Sequence, residues 1–219
     1  MGLAEVAFYR VTNRGQGPSV HLARELARIW GNLDYGVHEL GRDDVREMSE
    51  VRAFAWDQQT NTRSSRTLQV PHQRMVKEGG KQVRKPLVDL GDVYLNNQNI
   101  GARAVREAIF SVLPKDFVEE AKTICRRTLE HGDGKPLVER VAALVAAFGT
   151  LFVKVPQIEK RVGRPRGQWN AADVADLGVV YRSITQGETT VNDEFPPELV
   201  TVAELNGGTP PVPAPGGEQ

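Results

Sequence analysis

Three β-like runs lie between two amphipathic helices, and that order constrains what the chain can fold into more than any other feature of it. The runs are LDYGVHEL from Leu33, SEVRAFAW from Ser49 and TRSSRTLQV from Thr62. DQQTN separates the second from the third, a polar loop of hairpin length, so the spacing predicts an antiparallel β-meander. Ahead of the runs, GPSVHLARELARIWGN opens with Ser19 in a capping position and closes with Gly31, which predicts a helix. Val20, Ala23, Ala27 and Trp30 form its expected core stripe, with His21, Arg24 and Arg28 on another face. Behind the runs, NNQNIGARAVREAIF (Asn96 to Phe110) belongs to a helix expected to begin near Asp92 and to finish near Pro114. Gly101, Ala104, Val105, Ala108, Ile109 and Val112 make its buried stripe, and the small residues let it lie close against a sheet. Residues 1–114 are therefore expected to form an α+β unit, a three-stranded antiparallel meander with flanking helices.

From Pro114 the character changes to helices alone. Asp116 and Glu119 have capping-box spacing and start a helix through Leu129, which HGDGK breaks. PLVERVAALVAAFGTLF is apolar enough for the centre of a helical unit. A short helix is expected over 156–162, and Asn170 with Asp173 caps AADVADLGVVYRSITQ, which ends at Gly187. Residues 115–187 thus read as an all-helical region packing on or following the core. Residues 188–219, which end in GGTPPVPAPGGEQ, read as an acidic, Pro/Gly-rich disordered tail.

The formal net charge is zero, but it is unevenly divided. No Lys or Arg follows Arg182, whereas six acidic residues do, so the chain through Arg182 holds 28 basic against 22 acidic residues. A basic body with an acidic tail suits a polyanionic partner; an ordinary soluble surface with a solvating tail has the same composition. No apolar run reaches membrane-span length and MGLAEVAFYR lacks a signal-peptide pattern, so a cytoplasmic protein is expected. Cys125 is the single cysteine, which excludes an internal disulfide.

Enzyme signatures are scarce. GDGK at Gly132 to Lys135 lacks P-loop spacing, and no GxGxxG follows a strand. His21, His38, His72 and His131 are scattered without metal-ligand spacing, so no catalytic residue, metal or cofactor is expected. Nucleic-acid chemistry fits better. HQRMVKEGGKQVRKP carries Arg74, Lys77, Lys81, Arg84 and Lys85 against only Glu78, around Gly79-Gly80, and reads as a mobile basic loop or hairpin. On the helix that follows, Asn96, Asn99, Arg103 and Arg106 recur at intervals of three, four and three, which aligns two amides and two guanidinium groups on one face. Such groups neutralise phosphates and hydrogen-bond backbone or base edges. These nine residues are the expected DNA contacts; for the loop, a solvated surface is the alternative. Trp30, Tyr35 and Trp56 are expected to be buried rather than stacked on bases.

The segments GPSVHLARELARIWGNLDYGVHEL, EVRAFAWDQQTNTRSSRTLQVPH and NNQNIGARAVREAIFSVLPKDFVEEA resemble successive parts of phage single-strand annealing proteins of the RecT/Redβ/Erf superfamily. VGRPRGQWNAADVADLGVVYRSITQGETTVNDEF is similar to the helical segment that follows the core in several of them, so the resemblance covers roughly residues 17–195. It rests on the order of elements and loose motifs. It implies a β-β-β-α core that binds single-stranded DNA and its annealed duplex in a basic groove between sheet and helix, assembles into homo-oligomeric rings or filaments, and anneals strands without ATP. It also implies a phage exonuclease or the host single-strand-binding protein as a partner, in the bacterial cytoplasm. The N-terminal part appended to the core in relatives is expected to be reduced. Three other classes stay open: an accessory DNA-binding protein of phage recombination or replication that modulates an integrase or nuclease without annealing, an interaction protein that docks through its helical half, and an enzyme of a type that no motif in the sequence marks.

Overall fold

The computed structural model describes residues 2–11, 15–78 and 81–196. The fold is mixed α+β, with three separate antiparallel sheets and eight α-helices among those residues. The central sheet is the expected meander: β3 (Leu33–Asp43), β4 (Met48–Asp57) and β5 (Thr62–Pro71), in the order β3-β4-β5. Val37 pairs with Ala53 and Ala53 with Arg66, and a bulge between Glu39 and Gly41 interrupts the β3 ladder. Asp57 closes the β4–β5 turn, where its carboxylate accepts from the backbone N of Gln59 (3.0 Å) and from the Thr60 hydroxyl (2.8 Å). It also accepts from Nε1 of Trp30 at 3.2 Å. The Thr60 bond leads the interactions that hold this carboxyl below its ordinary pKa.

One face of the sheet receives α3 (Leu90–Val112), whose side chains Val93, Val105, Ala108, Ile109 and Val112 are buried. The stripe read from the sequence is present, except that it extends to Asn97, which no hydrophobic pattern marks. The helix lies so close to β3 that a Cβ on Gly101 would sit 2.7 and 2.8 Å from the two Cγ atoms of Val37. Gly101→Ala is therefore expected to cost about 1–3 kcal/mol of stability in spite of alanine's better helix propensity, as read by urea denaturation. A neutral or stabilising change would mean that α3 does not approach β3 this closely.

Helix α2 (Val20–Trp30) is capped by Ser19, whose Oγ accepts from Leu22 N at 3.2 Å and donates to the Val6 carbonyl at 2.5 Å. Its buried residues are Leu22, Ala23, Leu26 and Ala27. The core stripe is rotated from the expected one, with Leu22 and Leu26 inside and Val20 only partly covered. The sequence marked no element before α2, yet α1 (Leu3–Val6) and a hairpin of β1 (Phe8–Val11) with β2 (Gly15–Pro18) are present. Both are short, and Ala4, Ala7 and Phe8 enter the main core.

The chain beyond Pro114 is helical: α4 (Lys115–His131), α5 (Leu137–Thr150), α6 (Val155–Val162), α7 (Ala171–Thr185) and α8 (Val191–Glu194), with single 3-10 turns at Gly132–Gly134 and Arg166–Gln168. Asp116 and Glu119 do not cap α4, which starts two residues earlier than that spacing implies, with Pro114 at the N-cap and no side-chain cap bond. Asn170 and Asp173 do form the reciprocal capping box of α7, with bonds of 3.0 and 2.8 Å. The boundary at 114 does not divide the cores. Val118 and Cys125 of α4 and Val179 of α7 join the main core. A second core gathers Phe148, Ile158, Trp169, Leu177 and Phe195, with Phe148 edge-on to Phe195 at 5.1 Å and to Tyr181 at 5.5 Å. Burial pushes the Cys125 thiol up, toward its protonated and unreactive form.

Phe195 corrects the expected domain limits. The tail assigned to residues 188–219 begins inside the fold, because Thr189, Glu194 and Phe195 are buried. The rest of that tail, from residue 197, lies outside the described residues. No single helix among the described residues is long and apolar enough to cross a membrane.

Candidate nucleic-acid interface

Because α3 turns its apolar stripe to the sheet, its opposite face is left to solvent or ligand. Asp89 starts the helix by accepting from Gly91 N at 2.8 Å and Asp92 N at 3.1 Å. Along the outward face, Asn99 and Arg103 are exposed while Asn96 and Arg106 are half-buried. The segment after β5 forms a second ribbon, β6 (Gln73–Glu78) with β7 (Lys81–Pro86), so the basic stretch is a hairpin. It shares no ladder with the central sheet.

Two depressions run along α3. The larger, about 540 Å³, lies between the hairpin root and the helix, with Arg46, Arg74, Arg84 and Asn96 on its rim and Met48 and Ile100 in its wall. The smaller, about 290 Å³, lies where α3 passes the start of α2, and brings together Tyr9, His21, Asn99, Arg103, Arg106 and Glu188. Arginines beside Met and Ile suit a phosphate held next to an unstacked base. Among the described residues no group of three or more His, Cys, Asp or Glu side chains could hold a metal.

The nine expected contact residues divide by what already holds them. Arg74, Arg84 and Arg103 are exposed and have no ion pair among the described residues. Lys85 pairs with Glu78 across the hairpin. Arg74 sits directly opposite Lys85 in the ladder, a like-charge pairing that disfavours the bare hairpin and that a bound anion would relieve. Lys77 and Lys81 lie on the two strands, opposite Gln82 and Glu78; their side chains are outside the described residues, as are Gly79 and Gly80. Asn96 donates through Nδ2 to the Pro71 carbonyl at 3.0 Å, so it ties the helix to the root of the hairpin. Asn99 shares the smaller depression with Arg103.

Arg106 differs most from its expected role. Its guanidinium lies over the Tyr9 ring at 5.1 Å and donates to the Tyr9 hydroxyl, and it reaches Glu107 Oε1 at 3.0 and 2.8 Å. Burial opposes its charge, but the bonds to Tyr9 and Glu107 outweigh burial and raise its pKa. Arg106 is thus committed to the N-terminal hairpin, with a side chain only 15% exposed.

Arg46, Tyr9 and His21 belong to the same face and were not singled out by spacing. Arg46 arrives there through register alone: Met48 pairs with Pro71, which puts the β3–β4 turn beside the hairpin root. It keeps a loose contact with Asp43 at 3.6 Å and is 81% exposed.

Under this face lies Asn97, 2% exposed. It is near enough to Glu39 to favour the ionised carboxylate, yet no well-formed hydrogen bond reaches its Nδ2 or Oδ1 among the described residues. Asn97→Leu is expected to raise stability by about 1 kcal/mol, read as a higher Tm, because an unpaired buried amide is replaced by an apolar group of similar size. A loss of stability would show that the amide has a partner in solution.

No protein-family model, curated protein or solved structure gives a significant match to the chain.

Proposed function

We propose that the protein binds single-stranded DNA along the α3 face and anneals complementary strands without ATP, as a homo-oligomer in the cytoplasm of a bacterial host. The observation that carries this reading is the set of exposed arginines without an ion pair among the described residues, Arg74, Arg84 and Arg103, on the basic hairpin and α3, which border one pair of depressions. Guanidinium groups of this kind neutralise the phosphates of a strand whatever its bases. On this reading the β3-β4-β5 meander with α3 is an annealing-type core, and an exonuclease or single-strand-binding protein would be its partner in recombination.

Assembly has its own support. The first turns of α3 and the residues before them expose Val88 (89%), Leu90 (67%), Tyr94 (55%) and Leu95 (57%), a large apolar patch for a free surface. Leu90 and Tyr94 lie one turn apart on the side of the helix that carries Asn97 and Gly101, so the core stripe continues past the point where this chain covers it. A second copy would cover it.

The test is pairing of complementary oligonucleotides with neither nucleotide nor metal added, alongside sedimentation of the protein with and without DNA. Accelerated pairing by an oligomer is the expected result. A monomer at every concentration, with pairing no faster than in its absence, would contradict annealing; tight DNA binding by such a monomer would favour the accessory-protein alternative.

A further inference from the structure

The basic hairpin hangs from the body by its root. Among the described residues β6 and β7 pair only with each other, and a lone two-stranded ribbon is marginally stable in water. The chain enters the hairpin at His72 and leaves it at Leu87. His72 N donates to the Glu47 carbonyl at 2.7 Å, and Leu87 N donates to the His72 carbonyl at 2.7 Å, so one residue carries both backbone ties. Its side chain turns inward, and His72 is only 5% exposed.

There its Nε2 lies 2.8 Å from Ser49 Oγ, and Ser49 Oγ lies 3.0 Å from Glu39 Oε1. Arg42 Nε donates to the same Glu39 oxygen at 3.1 Å. Burial works against the Glu39 charge, but the bonds from Arg42 and Ser49 prevail and keep its pKa below the ordinary range. An ionised carboxylate only accepts, so the Ser49 hydrogen goes to Glu39 and the Nε2 hydrogen of His72 goes to Ser49 Oγ. The order excludes a nucleophile: the hydroxyl stands between imidazole and carboxylate, gives its hydrogen to the carboxylate, and is fully buried. The row instead joins β3, β4 and the hairpin root in one directed chain behind Met48 and Pro71, which line the larger depression.

We infer that His72, held by Ser49 and Glu39, is a positioning residue that fixes the basic hairpin over the nucleic-acid face. The inference rests on the proposed DNA-binding role of that face for its consequence, but not for its geometry. Ser49→Ala and His72→Leu break the row without altering any Lys or Arg of the face. His72→Gln keeps a nitrogen donor near the position of Nε2.

Hydrogen exchange and oligonucleotide binding by the full chain test it together. In Ser49→Ala and His72→Leu, amides of 73–76 and 83–85 are expected to exchange about tenfold faster, while those of Val51 and Ala53 are unchanged. Affinity for a labelled oligonucleotide falls about threefold to tenfold with the salt dependence unaltered, since no phosphate contact is lost. His72→Gln restores both. Unchanged hairpin exchange in a folded Ser49→Ala protein would overturn the inference, and so would equal acceleration of all amides, a shallower salt dependence, or failure of His72→Gln to rescue. If the wild-type protein binds no DNA, the proposed function fails, and the exchange arm still decides whether His72 holds the hairpin.

Discussion

Replacing Glu194 with Ala is expected to destabilise the protein by about 3 kcal/mol, toward the lower end of what breaking a buried ion pair costs. The Glu194 side chain is 3% exposed and lies between two arginines from distant parts of the chain. Arg10 Nε reaches its two oxygens at 2.8 and 2.7 Å, Arg161 Nη1 lies 2.6 Å from Oε2, and the Thr189 hydroxyl donates to Oε1 at 3.2 Å. Burial lowers the Arg161 pKa and Arg10 lowers it further, while Glu194 opposes both. Without the carboxylate, two neighbouring guanidinium groups are left facing each other in a partly buried site. The Arg10 side chain is 32% exposed, so water relieves part of the cost. Truncation after Gly187 removes the same carboxylate together with buried Phe195, and should cost at least as much. Truncation after Pro197 keeps every contact described for α8 and should leave folding and annealing intact. Urea denaturation separates the cases; a change below about 1 kcal/mol for Glu194→Ala would mean that this carboxylate is not buried in solution.

Joint replacement of Arg74, Arg84 and Arg103 with Ala is expected to weaken single-stranded DNA binding about a hundredfold at low salt, from the loss of three charge-assisted phosphate contacts. The dependence of log K on log salt should become shallower by about 2, at roughly 0.7 per phosphate contact on a single strand. Folding should survive, because all three side chains are exposed and unpaired among the described residues. Arg106→Ala should behave in the opposite way. It loses the Tyr9 and Glu107 partners, so it should cost about 1–2 kcal/mol of stability and leave the salt dependence near wild type. If the triple variant binds as tightly as wild type while Arg106→Ala does not, the contact face has been assigned to the wrong arginines.

The local signals in the sequence carried the meander, α3 and the basic hairpin, because alternation and helical spacing are properties of neighbouring residues. What lay beyond them is non-local. Ala4 and Phe8 enter the core from elements of four residues, too short for any period to register. Asn97 is polar and buried in the middle of an apolar stripe, which no hydrophobic pattern reveals. Glu194 looked like part of an acidic tail, since only the fold brings Arg10 and Arg161 to it. The site divides in the same way. The Asn/Arg spacing on α3 identified a face, but Tyr9 arrives from the opposite end of the domain to occupy Arg106, and antiparallel register brings Arg46 to the hairpin root.

The central claim is that this face holds a DNA strand chiefly through phosphates. Its most direct test is the affinity of the wild-type protein for a labelled single-stranded oligonucleotide, measured by anisotropy across a salt series. With Arg46, Arg74, Arg84 and Arg103 engaged, the expected log–log slope is about −3, nearly independent of oligonucleotide sequence. Undetectable binding at low salt, or binding that does not change as salt is raised, would contradict it.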